Sequence, residues 1–114
     1  RVERSVISPG VFVAPGALVR DSIIMRDTII GEGAVVDRAI IDTDVVVGAK
    51  AEIGSGDDNA PNRQDPARFS TGLTVVGTGS HIPAGARIGR NCVIRPHRRE
   101  RDFNEKAIAS GETI

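Results

Sequence analysis

An aliphatic or aromatic residue returns at every sixth position through most of this chain. The beat runs Val6, Phe12, Leu18, Ile24, Ile30, Val36, takes one five-residue step, and continues through Ile41, Val47 and Ile53. After a polar interruption it resumes at Val76, Ile82, Ile88 and Ile94. Gly often follows the beat, as at Gly31, Gly48, Gly54, Gly77 and Gly89. The fourth residue after it is usually small: Gly10, Gly16, Ser22, Thr28, Ala34, Ala51, Ser80, Ala86, Cys92. A period of six contains the two-residue alternation of a strand and does not fit an α-helix. It fits short strands joined by corners, three to a coil, which is a parallel β-helix built from hexapeptides.

In such a fold the chain returns above itself roughly every eighteen residues, about 4.8 Å higher each time. Like positions stack into internal columns. The spacing predicts Val6 under Ile24 under Ile41, Phe12 under Ile30 under Val47, and Leu18 under Val36 under Ile53. The small residue shares the inward side and leaves the columns room. The expectation is an all-β, single-stranded β-helix of about four coils with one long corner loop. Both the five-residue step and the polar interruption fall at the same corner, where they leave the strands aligned.

Residues 1–114 make a single domain. Lys+Arg and Asp+Glu both number 15, so no basic face is available for nucleic acid or an anionic membrane. There is no Trp or Tyr to stack on bases or sugars. No apolar run approaches a membrane span and no signal peptide is evident. The single Cys92 cannot form an internal disulfide, and its small inward position reads as a buried, inert thiol. A cytoplasmic setting is the simplest expectation, and the start at Arg1 suggests a piece of a longer protein.

Arg1 to Ser5 reads as a lead-in, either linker or edge. Pro9-Gly10 and Pro15-Gly16 supply matching corners, since Pro cannot donate to a central strand. Arg20, Asp21, Arg26 and Asp27 belong outside, where ion pairs contribute about 0–1 kcal/mol each. Residues 54–75 form the corner insertion: Ile53 to Val76 spans 76 − 53 = 23 positions instead of six. Its Asp, Asn, Pro and Gly content marks an exposed loop, either disordered or a packing arm, with ligand or partner contact as the alternative. Asp57-Asp58-Asn59 lacks the spacing and terminal Glu of an EF-hand loop. Residues 95–114 form a C-terminal cap in which Phe103 and Ala107 to Ile114 fold back over the last coil. Its Arg95, Arg98 and Arg99 are the candidate residues for an oxyanion effector, a solvated end-cap being the alternative.

Several ordered runs carry a family resemblance. They are Val6-Ile7-Ser8-Pro9-Gly10-Val11, Ser22-Ile23-Ile24-Met25, Ile30-Gly31-Glu32-Gly33-Ala34 and Asp37-Arg38-Ala39-Ile40-Ile41-Asp42, followed by Gly72 to Gly77, Ile82 to Gly85, Ile88 to Asn91, and Ser110-Gly111-Glu112-Thr113. Together they resemble the C-terminal domain of bacterial glucose-1-phosphate adenylyltransferase (ADP-glucose pyrophosphorylase). The resemblance implies the left-handed winding of hexapeptide-repeat proteins, an exception to the right-handed crossover rule. It implies a parent enzyme that joins ATP and glucose 1-phosphate with Mg²⁺ for glycogen synthesis, in an N-terminal catalytic domain. The glycine-rich signature of that domain is absent here, so this chain is expected to hold no catalytic residue, metal or cofactor of its own. Its implied partners are its own catalytic domain and further copies in a tetramer, with a sugar-phosphate effector near the seam.

Two other classes stay open. A hexapeptide acyltransferase would use a His base at a cleft between subunits, and His81 is the candidate. A carbonic anhydrase of this fold needs three His ligands, whereas only His81 and His97 exist. Another sugar-nucleotide pyrophosphorylase, such as one making GDP-mannose, would use the same kind of assembly domain.

Overall fold

The computed structural model describes residues 1–114. Fifteen short strands follow one another: β1 (Val2–Glu3), β2 (Val6–Ile7), β3 (Phe12–Val13), β4 (Leu18–Arg20), β5 (Ile23–Ile24), β6 (Ile29–Ile30), β7 (Val35–Asp37), β8 (Ala39–Ile41), β9 (Val46–Val47), β10 (Glu52–Ile53), β11 (Thr74–Val76), β12 (His81–Ile82), β13 (Arg87–Ile88), β14 (Val93–Ile94) and β15 (Ala107–Ile108). They stack into three parallel sheets, the faces of a prism. The first face runs β1-β4-β7-β10-β13-β15, the second β2-β5-β8-β11-β14, and the third β3-β6-β9-β12. Val and Ile dominate because a β-branched side chain suits a pleated, packed surface. Left-handed backbone turns the corners, as at Gly10 (φ 78°), Asp27 (φ 59°) and Asp44 (φ 58°), which lie above one another between the second and third faces.

From the second coil onward the beat is the core. Ile24 stacks on Ile41, Ile30 on Val47, Val36 on Ile53, and higher up Ile53 on Ile88 and Val76 on Ile94. All of these are buried, as is Ile82. Two residues earlier the inward position is small: Ser22, Thr28, Ala34, Ala39, Ala51, Thr74, Ser80, Ala86 and Cys92 are all buried, with Val45 the larger exception. The hydroxyls there are satisfied, as buried polar groups must be. Thr28 Oγ1 donates to Asp42 O at 2.8 Å, Thr74 Oγ1 to Gly89 O at 2.7 Å and Ser80 Oγ to Arg95 O at 2.9 Å.

The first coil departs from expectation. Val6, Phe12 and Leu18 pair with Ile23, Ile29 and Val35 and point outward, while Ile7, Val13 and Val19 pair with Ile24, Ile30 and Val36 and point inward. Val6 and Phe12 are 61% and 57% exposed, so neither belongs to the core. The cause is a second five-residue step, from Val19 to Ile24, at the same corner as the step from Val36 to Ile41. Each lower coil therefore returns after 24 − 7 = 17 residues rather than eighteen. Gly10 and Gly16 are corner residues with positive φ, and the inward positions of that coil are held by Val11 and Ala17.

Both ends also add to the stack. Val2–Glu3 is a rung beneath β4, not a lead-in, and Ala107–Ile108 is a rung on β13. The first face thus has six strands, more than the four coils expected. The insertion ends at Leu73, because Thr74 already pairs with Ala39. It is a packed arm. Asn62, only 1% exposed, donates through Nδ2 to Asn91 O (3.1 Å) and Thr113 Oγ1 (3.1 Å), while its Oδ1 accepts from the N–H groups of Gln64 (2.9 Å) and Asp65 (3.0 Å). Asn91 Nδ2 donates back to Ala60 O at 3.0 Å, and Asn91 Oδ1 accepts from Gly72 N–H at 2.7 Å. The arm leaves through Gly54, at φ 80°, where a Cβ would lie 1.9 Å from Asp37 O. No larger residue fits there.

Cys92 is buried in the upper core, and burial pushes its thiol up from the ordinary range. Folding then favours the protonated form. That stabilisation is complete below the unfolded thiol's pKa and is lost as pH rises through the raised native value. Native protein is expected to resist iodoacetamide at pH 8 and to label fully once denatured; rapid labelling of the native state would contradict the inward placement.

Candidate functional site: the outer faces of the prism

Parallel sheets are normally covered on both sides. Here the inner side of each sheet meets the core, and alternation sends the neighbouring residue outward. On the second face the outward column is Val6, Ile23, Ile40, Val75 and Val93, aligned by the same pairing that aligns the core. It carries no charge over its full height. Its lower part forms a shallow groove of about 230 Å³ lined by Val6, Ile23, Ile40 and Leu73, with Arg4 and Asp21 at the rim. Arg4 Nε donates to Asp21 Oδ1 at 2.7 Å and Arg4 Nη2 to Asp21 Oδ2 at 3.2 Å. That hydrogen-bonded pair holds the carboxyl below its usual range and raises the guanidinium.

The other faces are less uniform. Outward on the third face stand Phe12, Ile29, Val46 and then His81. Outward on the first face Leu18 and Val35 give way to Glu52 and Arg87. The exposed large hydrophobics are Val2, Val6, Ile7, Phe12, Ile23 and Ile29, all in the first two coils. Of these, Val6, Phe12, Ile23 and Ile29 stand on the outer faces, whereas Val2 and Ile7 are the inward members of their strands; an outward apolar surface of this kind is a candidate interaction site. From Ile24 upward the six-residue beat marks only the inward member of each doublet; the outward members Ile23, Ile29, Ile40, Val46, Val75 and Val93 stand one residue earlier in the sequence.

The three candidate arginines do not converge. Arg95 is exposed, with Nε donating to Ile114 O at 3.3 Å. Arg99 Nη1 donates to Gly79 O at 2.7 Å. Arg98 O accepts from His81 N–H at 2.7 Å, the role Ser80 O plays for Val46, so the Arg98 side chain takes the inward position above Ser80. Neighbours on an extended segment face opposite ways, and none of the molecule's four clefts is lined by Arg95, Arg98 or Arg99. His81 stands outward with Nδ1 3.8 Å from Glu100 Oε2, and His97 lies at a corner against Gly79. Nowhere do three or more His, Cys, Asp or Glu side chains gather in a way that could hold a metal ion. No helix is long and apolar enough to cross a membrane.

A three-faced stack of parallel two- and three-residue strands, with small inward residues and left-handed corners, is a hexapeptide-repeat β-helix domain. Residues 1–76 match the family described as GlmU-like, C-terminal hexapeptide, and the chain belongs to that family. It is similar to the C-terminal portion of several glucose-1-phosphate adenylyltransferases. It is 55% identical to that of Thermomicrobium roseum over 84 residues (74% of this chain, 20% of the relative), and 39% identical to that of Acetivibrio thermocellus over 113 residues (99% and 26%). Against the Pseudothermotoga lettingae enzyme it is 45% identical over 113 residues (99% and 27%). The chain thus spans about a quarter of these relatives' length. Among solved structures, the acetyltransferase domain of PglB from Neisseria gonorrhoeae, in complex with acetyl coenzyme A, superposes with a TM-score of 0.56 at 20% identity, covering 98% of this chain and 49% of that one. At that identity the likeness concerns the fold.

Proposed function

We propose that this chain is the C-terminal assembly and regulatory domain of a glucose-1-phosphate adenylyltransferase, a cytoplasmic enzyme of glycogen synthesis. The parent joins ATP and glucose 1-phosphate into ADP-glucose and pyrophosphate, with the chemistry and Mg²⁺ in an upstream catalytic domain. This domain packs against that catalytic domain and helps hold a tetramer together. A sugar-phosphate effector bound near the seam acts by shifting how the two domains sit, which requires two states of differing affinity. The observation that carries the reading is the unbroken outward column Val6, Ile23, Ile40, Val75, Val93, an uncharged apolar strip over the full height of the second face. Support for the reaction comes from the relatives the chain resembles along almost its whole length.

The test is Ile23→Asp with Ile40→Asp in the full-length protein. Ile23 is 40% exposed and Ile40 faces outward beside it, so the coils themselves tolerate the change. The expected result is normal far-UV dichroism, a smaller particle by light scattering, and at least a tenfold loss of activity or of effector response, on the scale of a lost buried apolar contact. An unchanged particle with unchanged turnover and response would remove the second face as the docking surface. Turnover of ATP and glucose 1-phosphate by residues 1–114 alone would overturn the placement of the chemistry.

A further inference from the structure

The two ends of the stack are finished differently. At the C-terminal end the last strands are covered by irregular chain: Val93 N–H donates to Glu112 O, Arg95 N–H to Ile114 O and His81 N–H to Arg98 O. Phe103, Ile108 and Ile114 pack there against the core. At the N-terminal end nothing comparable lies beneath β2 and β3. Each pairs with one strand only, β5 and β6 respectively. Phe12 and Ala14 donate their N–H groups upward to Thr28 O and Ile30 O, so the N–H and C=O of Val13 between them point down, off the end of the stack. Ile7, between Val6 and Ser8, is placed the same way. The inward side chains of β2 and β3 are correspondingly less covered than Val19, which sits on β1 and is fully buried: Val13 is half-buried and Ile7 is 37% exposed, although its column partner Ile24 is fully buried.

An apolar end-face with two open strand edges is a site for strand addition and a liability if left uncovered. We infer that the segment immediately preceding Arg1 in the parent protein adds a further parallel strand beneath β3 and closes the bottom of the core. The inference rests on the reading that a longer chain precedes Arg1, as the quarter-length match to the relatives indicates.

Winding order selects this occupant and this site. Strands visit the second, third and first faces in turn, and β1 already lies on the first face one level below β4. The strand before β1 therefore falls on the third face, under β3. Its position follows from the six-residue step between these two faces, seen from Val13 to Val19, from Ile30 to Val36 and from Val47 to Ile53. Counting back six from Val2 puts the residue below Val13 about five positions before Arg1, the same place a seventeen-residue return from Val13 gives. That residue is aliphatic and points inward, and the residue two before it is small. Its N–H and C=O complete the ladder that Val13 leaves open. The bare face thereby becomes a joint between the linker and the first coil, through which a shift of the upstream domain reaches the stack.

The test compares Val13→Ala with Val13→Pro in the full-length protein. Both replace the inward valine side chain, and only Pro removes the N–H that the added strand would accept. The expected result is a gap between Pro and Ala at Val13 about 5 °C larger than the gap the same two substitutions give at Ile7, whose edge on β2 receives no added strand and reports the cost of the ring alone; equal gaps at the two positions would overturn the inference. Amide exchange in the unaltered protein identifies the occupant. Protection of the Val13 amide at least about tenfold above an unpaired edge amide, unchanged over a hundredfold dilution, supports the upstream strand. Protection that disappears on dilution means a second copy stacked on the end and overturns the inference, as does fast exchange at every concentration. None of these readouts depends on which reaction the parent catalyses.

Discussion

Ile30→Asp leaves a chain that does not fold. Ile30 is fully buried on the third face, held in one column between Val13 below and Val47 above. Removing its side chain from that column loses about 1.5–3 kcal/mol of burial. The carboxylate that replaces it has no cation or donor within the apolar interior, a further penalty of several kcal/mol even after protonation. Against a total stability of about 5–15 kcal/mol the sum removes most or all of the margin. A solenoid is vulnerable in another way, because each coil is held only by its neighbours, and a broken middle rung separates the two halves. Ile29→Asp is the matched control. Ile29 sits one residue earlier, outward and 44% exposed, so its substitution is expected to change stability by less than about 1 kcal/mol. Circular dichroism melts of the two variants settle the register. A normal cooperative transition for Ile30→Asp, or equal collapse of both, would mean that the inward and outward assignments are wrong.

That one-residue difference is also where sequence reading succeeded and failed. Above Ile24 the phase of the beat is right. In the first coil every strand is an aliphatic doublet, Val6-Ile7, Phe12-Val13 and Leu18-Val19, and a six-residue period fits either member equally well. Phase is decided at the corners. The deciding signal lies in the sequence itself: Val19-Arg20-Asp21-Ser22-Ile23-Ile24 has the same pattern as Val36-Asp37-Arg38-Ala39-Ile40-Ile41, where the beat takes its short step. In both, the shortened corner turns through a charged residue in left-handed conformation, Asp21 (φ 50°) and Arg38 (φ 51°). One missed residue inverted three side chains, as strand alternation requires.

The candidate surface was half legible. Aliphatic doublets announce a strand with both sides apolar, but only the stacking shows that Val6, Ile23, Ile40, Val75 and Val93 form one column. The positive charge of Arg95, Arg98 and Arg99 was legible, and its direction was not. Adjacent residues on an extended segment cannot point into one site, and Arg98 turns inward over Ser80 while Arg99 turns out. The arm's length could be read from the broken beat. Its anchors could not, because Asn62 and Asn91 lie 29 positions apart and no local pattern links them.

Asn62→Ala is expected to free the arm and the C-terminal tail together while the lower coils persist. Asn62 Nδ2 ties the arm to Asn91 O and Thr113 Oγ1, and the Arg63 N–H donates to Gly111 O at 3.0 Å beside it. Truncation removes two side-chain donor bonds and leaves Asn91 O buried without that donor. It also removes the acceptor for the Gln64 and Asp65 amides. At about 1 kcal/mol for each of these four bonds and 1–3 kcal/mol for the orphaned carbonyl, the local loss is about 5–7 kcal/mol. The arm and residues 109–114 can open without unwinding the coils beneath, so the global melt falls by less than that sum. Amide exchange should rise at least tenfold across the arm and the tail, and stay unchanged at Ile24, Ile30 and Ile41. Asn62→Asp keeps the acceptor for Gln64 and Asp65 but turns a carboxylate oxygen toward the carbonyls of Asn91 and Glu112, and should open the tail at least as far as the alanine does. If exchange in residues 109–114 stays slow in both variants, the tail is held by its own bridge from Thr113 to Val93, and the arm is only laid over it.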